Sequence, residues 1–431
     1  MPFRFVHTAD IHLDSPLRSL ALRDPALADL IGGATRTAFE TTVTLCLDER
    51  VDALMIAGDL YDGGQTSMKT AAFLSGQLHR LEAEGIPAFI VRGNHDAESK
   101  ITRELVLPAS AHVFSGRAEC HVLPKAADGR DVAVHGISFR DPRAPDSLLP
   151  KFKPPLPDAI NIGLLHTSLG GAPGHDTYAP CSLADLAATG FEYWGLGHIH
   201  ARAVHRSADP AVVMPGQPQG RDINEAGPKS VTLASITGDR AVTLSEHITA
   251  VAQFERVPVD ATGLDAWRDL IDAIGSALAA ARAAARCAQL VARVEVSGVS
   301  ALDWRVRVDA DLLLAEAQAL ADRLGDTWVD SVRTDLRPAP AAPDIPSGDP
   351  VAELRDLIVG TVAPSDAFRA QAREIAETLR AQLPRDSAAL LGQTEAAFDD
   401  ILAALIAEGT EDVIAHLLGS ATGRPGTEAD A

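Results

Sequence analysis

Five short polar strings, each placed where an apolar run ends, leave this chain few ways to fold. Asp10-Ile11-His12 follows Phe3–Ala9, and Gly58-Asp59-Leu60-Tyr61-Asp62 follows Ala53–Ala57. Gly93-Asn94-His95-Asp96 follows Ala88–Arg92, His166 follows Ile160–Leu165, and Gly197-His198-Ile199-His200 follows Tyr193–Leu196. Short β-branched apolar runs bounded by such strings read as buried strands, and α/β sheets place their ligands at the carboxyl ends of strands. Residues two apart on an extended chain point to one side, so Asp10 with His12, and His198 with His200, can each face one site. Glycines before Asp59, Asn94 and His198 permit the tight backbone paths of a crowded centre. Imidazole, carboxylate and amide donors without thiolates suit manganese, iron or zinc better than calcium. Asp10, His12, Asp59, Asn94, His166, His198 and His200 are too many ligands for one transition ion and fit two with a shared bridge. A lone DxH or GNH carries little weight; five strings in this order, all at strand ends, carry much more.

The same region adds strand candidates at Val132–Phe139 and Val212–Met214, and helices at Thr35–Arg50 and Met68–Glu84. In the second helix Ala71, Leu74, Leu78 and Leu81 recur at helical spacing, with Gly85 and Pro87 ending it. Strand–helix alternation predicts an α/β layered fold, and the later strands, with little helix between them, predict two packed sheets. From Pro258 the pattern is helix (Leu264–Ala288), strand (Leu290–Ser297), helix (Ala310–Leu324) and a strand ending near Arg337, a small α+β unit. The Pro/Ala-rich stretch Arg337–Pro350 reads as a linker. Helical patterns follow at Val351–Val362, Asp366–Leu383 and Glu395–Leu418, with stripes at Ile375, Leu379, Leu383 and at Phe398, Ile401, Leu405. The expected division is a core domain over 1–255, a capping domain over 256–337, a linker over 338–350, a partner-binding helical segment over 351–419 and a disordered tail over 420–431.

Composition excludes other classes. No apolar run approaches a membrane span, and the opening MPFRFVHTAD has no apolar leader. Cys46, Cys120, Cys181 and Cys287 are scattered, so reduced thiols in a cytoplasmic protein are expected. The net charge of −21 argues against a chain that grips nucleic acid by overall basicity. Residues 339–431 hold 16 Asp+Glu and 6 Lys+Arg, a net of −10, so the acidic excess is concentrated there.

DxH, GDxxD, GNHD, H and GHxH, in that order, resemble the calcineurin-like metallophosphoesterases over about residues 1–220. The resemblance implies a four-layer α/β/β/α sandwich. It places one metal on Asp10, His12 and His200, a second on Asn94, His166 and His198, and Asp59 between them. His95 would face the scissile phosphate and Asp62 would orient or polarise it. HTADIHLDSPL, GHDTYAPCSLADL, YWGLGHIH and PGQPQGRDINEAGPKS further resemble the DNA-repair exonuclease branch of SbcD and YhaO type. That branch implies a manganese-dependent DNA nuclease working with an SbcC-like coiled-coil ATPase, and a homodimer. Arg221 reads equally as a phosphate contact or a salt bridge. Asp14 and Ser15 read as a turn or a cleft wall, and His175, Asp176 and Tyr178 as substrate contacts or loop. Trp267, Trp304 and Trp328 could stack bases, although core packing is the plainer role. His79, His112, His121 and His135 read as structural or surface residues. Rival functions are a small-molecule phosphodiesterase or nucleotidase with the same centre, and a non-catalytic scaffold for DNA or the ATPase.

Overall fold

The structure, a computed structural model, describes residues 1–15, 25–62, 67–98, 107–170, 178–338, 350–383, 391–392 and 394–421. Most of the expected linker, the tail beyond 421, His175 and Asp176 lie outside the described residues. The chain divides into two units. One is Met1–Arg256 with Ala281–Ala292 and Asp326–Asp330; the other is Val257–Ala280, Arg293–Gly325 and Ser331–Ala431.

In the first unit β1 (Phe3–Thr8), β2 (Ala53–Ala57), β3 (Ala88–Val91) and β4 (Ala111–Val113) run parallel. A second group comprises β5 (Glu119–Ala127), β6 (Arg130–Gly136), β7 (Ile160–His166), β8 (Tyr193–Gly197), β9 (Ala203–Ser207) and β10 (Ala211–Met214). Two later strands, β11 (Ser230–Ile236) and β12 (Val242–Ile248), return to the first sheet, giving the orders β12-β11-β1-β2-β3-β4 and β5-β6-β7-β8-β10-β9. Both faces of each sheet are covered, which is why the central strands are apolar throughout. Phe3, Phe5, Met55, Phe89, Ile162 and Tyr193 fill the layer between the sheets. The alternate residues Val6, Leu54 and Ile56 pack on helices Ala34–Asp48 and Met68–Ala83 through Phe39, Val43, Leu74 and Leu78. On the far side, Leu165, Trp194, Leu196 and Val212 are covered by loops and the short helix Leu183–Ala187. The four-layer sandwich is present, with its second helical layer reduced to that one turn and a half. The strand expected at Val132–Phe139 stops at Gly136, and Ile137 and Phe139 instead join the outer core.

The second unit contains the end of β13 (Ala252–Asp260) and most of β14 (Gln289–Ser300) and β15 (Thr327–Pro338), strands paired in that order. Helix Ala310–Leu324 buries Leu313, Ala317 and Ala321 at four-residue spacing. The C-terminal helices belong to this same unit. Helix Glu395–Ala421 packs on helix Asp303–Val308, where Arg307 joins Asp303 and Asp412, each at 3.0 Å. Phe398 is buried beneath the guanidinium groups of Arg373 and Arg380. Ile375 and Leu379 remain 58% and 54% exposed, so one expected stripe is covered by no part of the described chain.

Candidate metal centre

Parallel pairing of β1 with β2, of β2 with β3, and of β7 with β8 brings the carboxyl ends of five strands to one edge. The loops go on pairing beyond the strands: Asp10 N–H donates to Gly58 at 2.9 Å and His12 N–H to Asp59 at 3.0 Å. Two bonds tie the sheets together there. His166 Nδ1 meets the Ala57 carbonyl at 2.9 Å, and both Asp10 carboxylate oxygens accept the His198 N–H at 3.0 Å.

The backbone path differs from the extended geometry expected of the DxH and HxH pairs. Asp10 (φ 51°), His12 (φ 46°) and Asp59 (φ 53°) are left-handed, and His198 has φ 107°. Such conformations cost non-glycine residues about 1–3 kcal/mol each and persist only where surroundings over-determine them. The glycines answer to space as much as to turning. A Cβ on Gly93 would lie 2.2 Å from Asp59 Oδ1, and one on Gly197 would lie 1.9 Å from the Ala57 carbonyl oxygen. Gly58 meets both demands, with φ 101° and a would-be Cβ 2.3 Å from His166 Nδ1.

Two clusters of acceptors result. In the first, His12 Nε2 faces His200 Nε2 at 3.3 Å, with Asp10 beside them. His12 Nδ1 is hydrogen-bonded to Asp62 Oδ1 at 2.7 Å, and His200 Nδ1 to Glu225 Oε1 at 2.7 Å. Each carboxylate fixes its imidazole with the proton on Nδ1, so two Nε2 lone pairs point at one another. Burial lowers the His12 pKa below its ordinary value, with Asp62 opposing; on His200 burial acts likewise, but Glu225 and Asp10 outweigh it and the net shift is upward. In the second cluster His166, whose Nδ1 donates to Ala57, turns Nε2 toward Asn94 Oδ1 at 3.0 Å and Asp59 Oδ2 at 3.4 Å. Asp59 Oδ2 also lies 3.9 Å from His12 Nε2, between the clusters. His198 sets its ring edge-on to His166, with centroids 5.3 Å apart. The HxH pair is thus divided, His200 beside His12 and His198 beside His166.

These convergent lone pairs repel unless a cation stands among them. Burial depresses the His166 pKa, yet Asp59 and Asp10 outweigh it and push it up to about 9. The same contact with His166 holds Asp59 below the usual carboxylate range, although burial alone would raise it. Imidazole, carboxylate and amide oxygen form a donor set for divalent transition ions, and no cysteine enters either cluster. The residues could hold a pair of such ions, with Asp10, His12 and His200 turned to one, Asn94 and His166 to the other, Asp59 between them and the His198 ring beside His166.

Residues 3–202 match the calcineurin-like phosphoesterase family, and residues 254–337 match the middle domain of metallophosphoesterase YhaO. The chain carries a calcineurin-like phosphoesterase domain. It is 34% identical over 239 residues to the metallophosphoesterase YhaO of Bacillus subtilis (strain 168), covering 54% of this chain and 57% of that one. It is 23% identical over 234 residues to the DNA double-strand break repair protein Mre11 of Methanopyrus kandleri, covering 50% and 49%. The chain therefore spans about half the length of these relatives. Among solved structures, a dimetal phosphatase from Danio rerio is 14% identical, covering 58% of this chain and 98% of its own, with a TM-score of 0.35.

Around the phosphoesterase centre the other expected residues take distinct places. His95 lies at the rim with its side chain 44% exposed, its Nδ1 3.8 Å from Asp62 Oδ1 and its N–H donated to Asp59 at 3.1 Å. Asp62 is closer to His12 than to His95 and also accepts from Ser15 Oγ, so it braces a metal-facing imidazole first. Arg221 is directed at Glu225, with Nη2 to Oε1 at 2.6 Å, and stands 3.7 Å from Asp62; the salt-bridge reading describes it. Asp14 makes the turn and bonds Arg36 and Thr70. Tyr178 packs against His198, and Trp328 donates to Gln289 at 3.0 Å.

Two residues went unnoticed in the sequence. Glu225, 25 residues beyond His200, mirrors Asp62 across the first cluster. Asp96, inside the GNHD string, accepts N–H groups from Leu60, Tyr61 and Gly93 at 2.9, 3.1 and 3.1 Å and so clamps the β2 and β3 loops together. Burial, reinforced by Asp59, pushes its carboxyl up to about 7. A carboxylate following an aligned NH string is the one available sign of Asp96; nothing local marks Glu225.

Proposed function

We propose that this protein is a metal-dependent DNA nuclease that hydrolyses phosphodiester bonds. The observation that carries the proposal is the pair of acceptor clusters meeting at Asp59 with the half-exposed His95 imidazole at their mouth. Two divalent cations, manganese first and iron or zinc next, would there clamp the attacking and leaving oxygens of an in-line displacement and acidify a water. The chain's own residues do the rest. Asp62 and Glu225 hold the His12 and His200 tautomers, Asp96 keeps the Asp59 and Asn94 loops in register, and Asp10 joins the two sheets. His95, exposed to the mouth and near Asp62, donates a proton to the leaving oxygen or stabilises its charge. Similarity to Mre11 proteins named for DNA double-strand break repair supports DNA as the substrate. An SbcC-like ATPase is the proposed partner, and the exposed Ile375 and Leu379 stripe supports a protein contact in the second unit.

The net charge of −21 favours a second reading, a phosphodiesterase for small diesters or nucleotides. The manganese-loaded protein separates them. Cleavage of single- or double-stranded DNA together with bis-p-nitrophenyl phosphate supports the nuclease; turnover of the small diester with intact DNA refutes it.

A further inference from the structure

We infer that a basic pocket beside the metal centre is a second phosphate site, which holds the backbone of a polynucleotide whose scissile bond lies at the metals. The pocket, about 480 Å³, is lined by Arg117, Arg140, Arg143 and Lys151. Elsewhere in this acidic chain several arginines are neutralised: Arg36, Arg202, Arg221, Arg286 and Arg373 each stand within 4.0 Å of a carboxylate. Among the described residues the four pocket cations form no ion pair, and Arg140 gives only its Nε to the Gly116 carbonyl at 3.0 Å. All four are exposed, as are the two acids of the pocket, Asp141 and Asp146, so the local balance is positive by two.

Its position relates it to the chemistry. The pocket wall Ser138–Phe139 is hydrogen-bonded to Arg92, immediately before Gly93-Asn94-His95: Arg92 N–H donates to Ser138 Oγ at 2.9 Å and Phe139 N–H to the Arg92 carbonyl at 3.0 Å. The Phe139 ring stands edge-on to His166 with centroids 5.6 Å apart. One aromatic side chain therefore separates the pocket from a metal-facing imidazole. A mononucleotide or small diester at the metals has no phosphate left for such a site, whereas a polymer does. With a net charge of −21 repelling polyanions, unneutralised local cations are what could draw a strand to this edge.

This inference rests on the nuclease reading for the reaction but is tested by binding, so the two can fail separately. The full chain and its Arg140→Ala/Arg143→Ala/Lys151→Ala variant are compared by fluorescence anisotropy with labelled single-stranded and duplex oligonucleotides over a salt series, and by hydrolysis of bis-p-nitrophenyl phosphate. The expected result is unchanged small-diester turnover, oligonucleotide affinity lowered at least about tenfold, and a salt slope reduced by about 2, from roughly 0.7 per phosphate contact on single strands. The Asp141→Asn/Asp146→Asn variant should bind more tightly, a gain that misfolding cannot imitate. Equal affinity and equal salt slope in all three proteins would overturn the inference, as would binding displaced by inorganic triphosphate as readily as by the oligonucleotide. Oligonucleotides left uncut by the manganese-loaded unmodified protein would refute the nuclease reading, while the binding comparison would still decide the pocket.

Discussion

Removing the Glu225 carboxylate should weaken one metal site and spare the other. Glu225 Oε1 lies 2.7 Å from His200 Nδ1, and among the described residues that nitrogen's other neighbour is a donor, Arg221 Nη2 at 3.4 Å. Glu225→Gln keeps an oxygen for the Nδ1–H bond but removes the charge that makes Nε2 a better donor. Glu225→Ala removes both and also uncovers Arg221, whose side chain is only 22% exposed and whose charge would then oppose an incoming cation. Loss of a carboxylate behind a metal-facing imidazole costs about 10–100-fold in affinity, or roughly 1.4–2.7 kcal/mol. Gln should fall at the low end of that range and Ala at the high end. Isothermal titration with manganese reads the two sites separately. The weakened one should be that of Asp10, His12 and His200, and Asp62→Asn should weaken the same one through His12. If Glu225→Ala binds both ions with unchanged affinity while melting normally, the bracing argument is wrong.

Replacing His95 with Gln should leave metal stoichiometry intact and lower turnover about 10²–10⁴-fold, the usual contribution of a positioned proton donor; unchanged turnover would remove His95 from the reaction. Gly93→Ala drives a Cβ against Asp59 and should destabilise the fold by about 1–3 kcal/mol, measured by urea unfolding, with loss of metal binding. The Asp14 pKa is depressed: burial raises it, but the hydrogen bonds from Arg36 and Thr70 prevail. Its contribution to stability should therefore be full above the unfolded carboxylate pKa and vanish as pH falls through the lower folded value. Asp14→Asn should abolish that part of the acid dependence in melts taken across this window.

Much of the centre could be read from the chain because its information is local. An apolar run followed by Asp, Asn or His names both the strand and the donor at its end, and β2, β7 and β8 begin where such reading places them. Edge strands escape it. β5 includes Pro124 and several half-exposed polar residues, and β9 is largely exposed, so neither shows the buried apolar signature. The donors' identities were legible; their grouping was not. His198 and His200 are neighbours in sequence, yet left-handed turns and the approach of two sheets send one to His166 and the other to His12. Glu225 and the Arg117–Lys151 pocket owe their places to packing between segments far apart in the chain, because an imidazole's hydrogen-bond partner and a cation's lack of one depend on what tertiary structure brings near. Strand order and residue type set which groups arrive at the edge; the contact between sheets decides what they face.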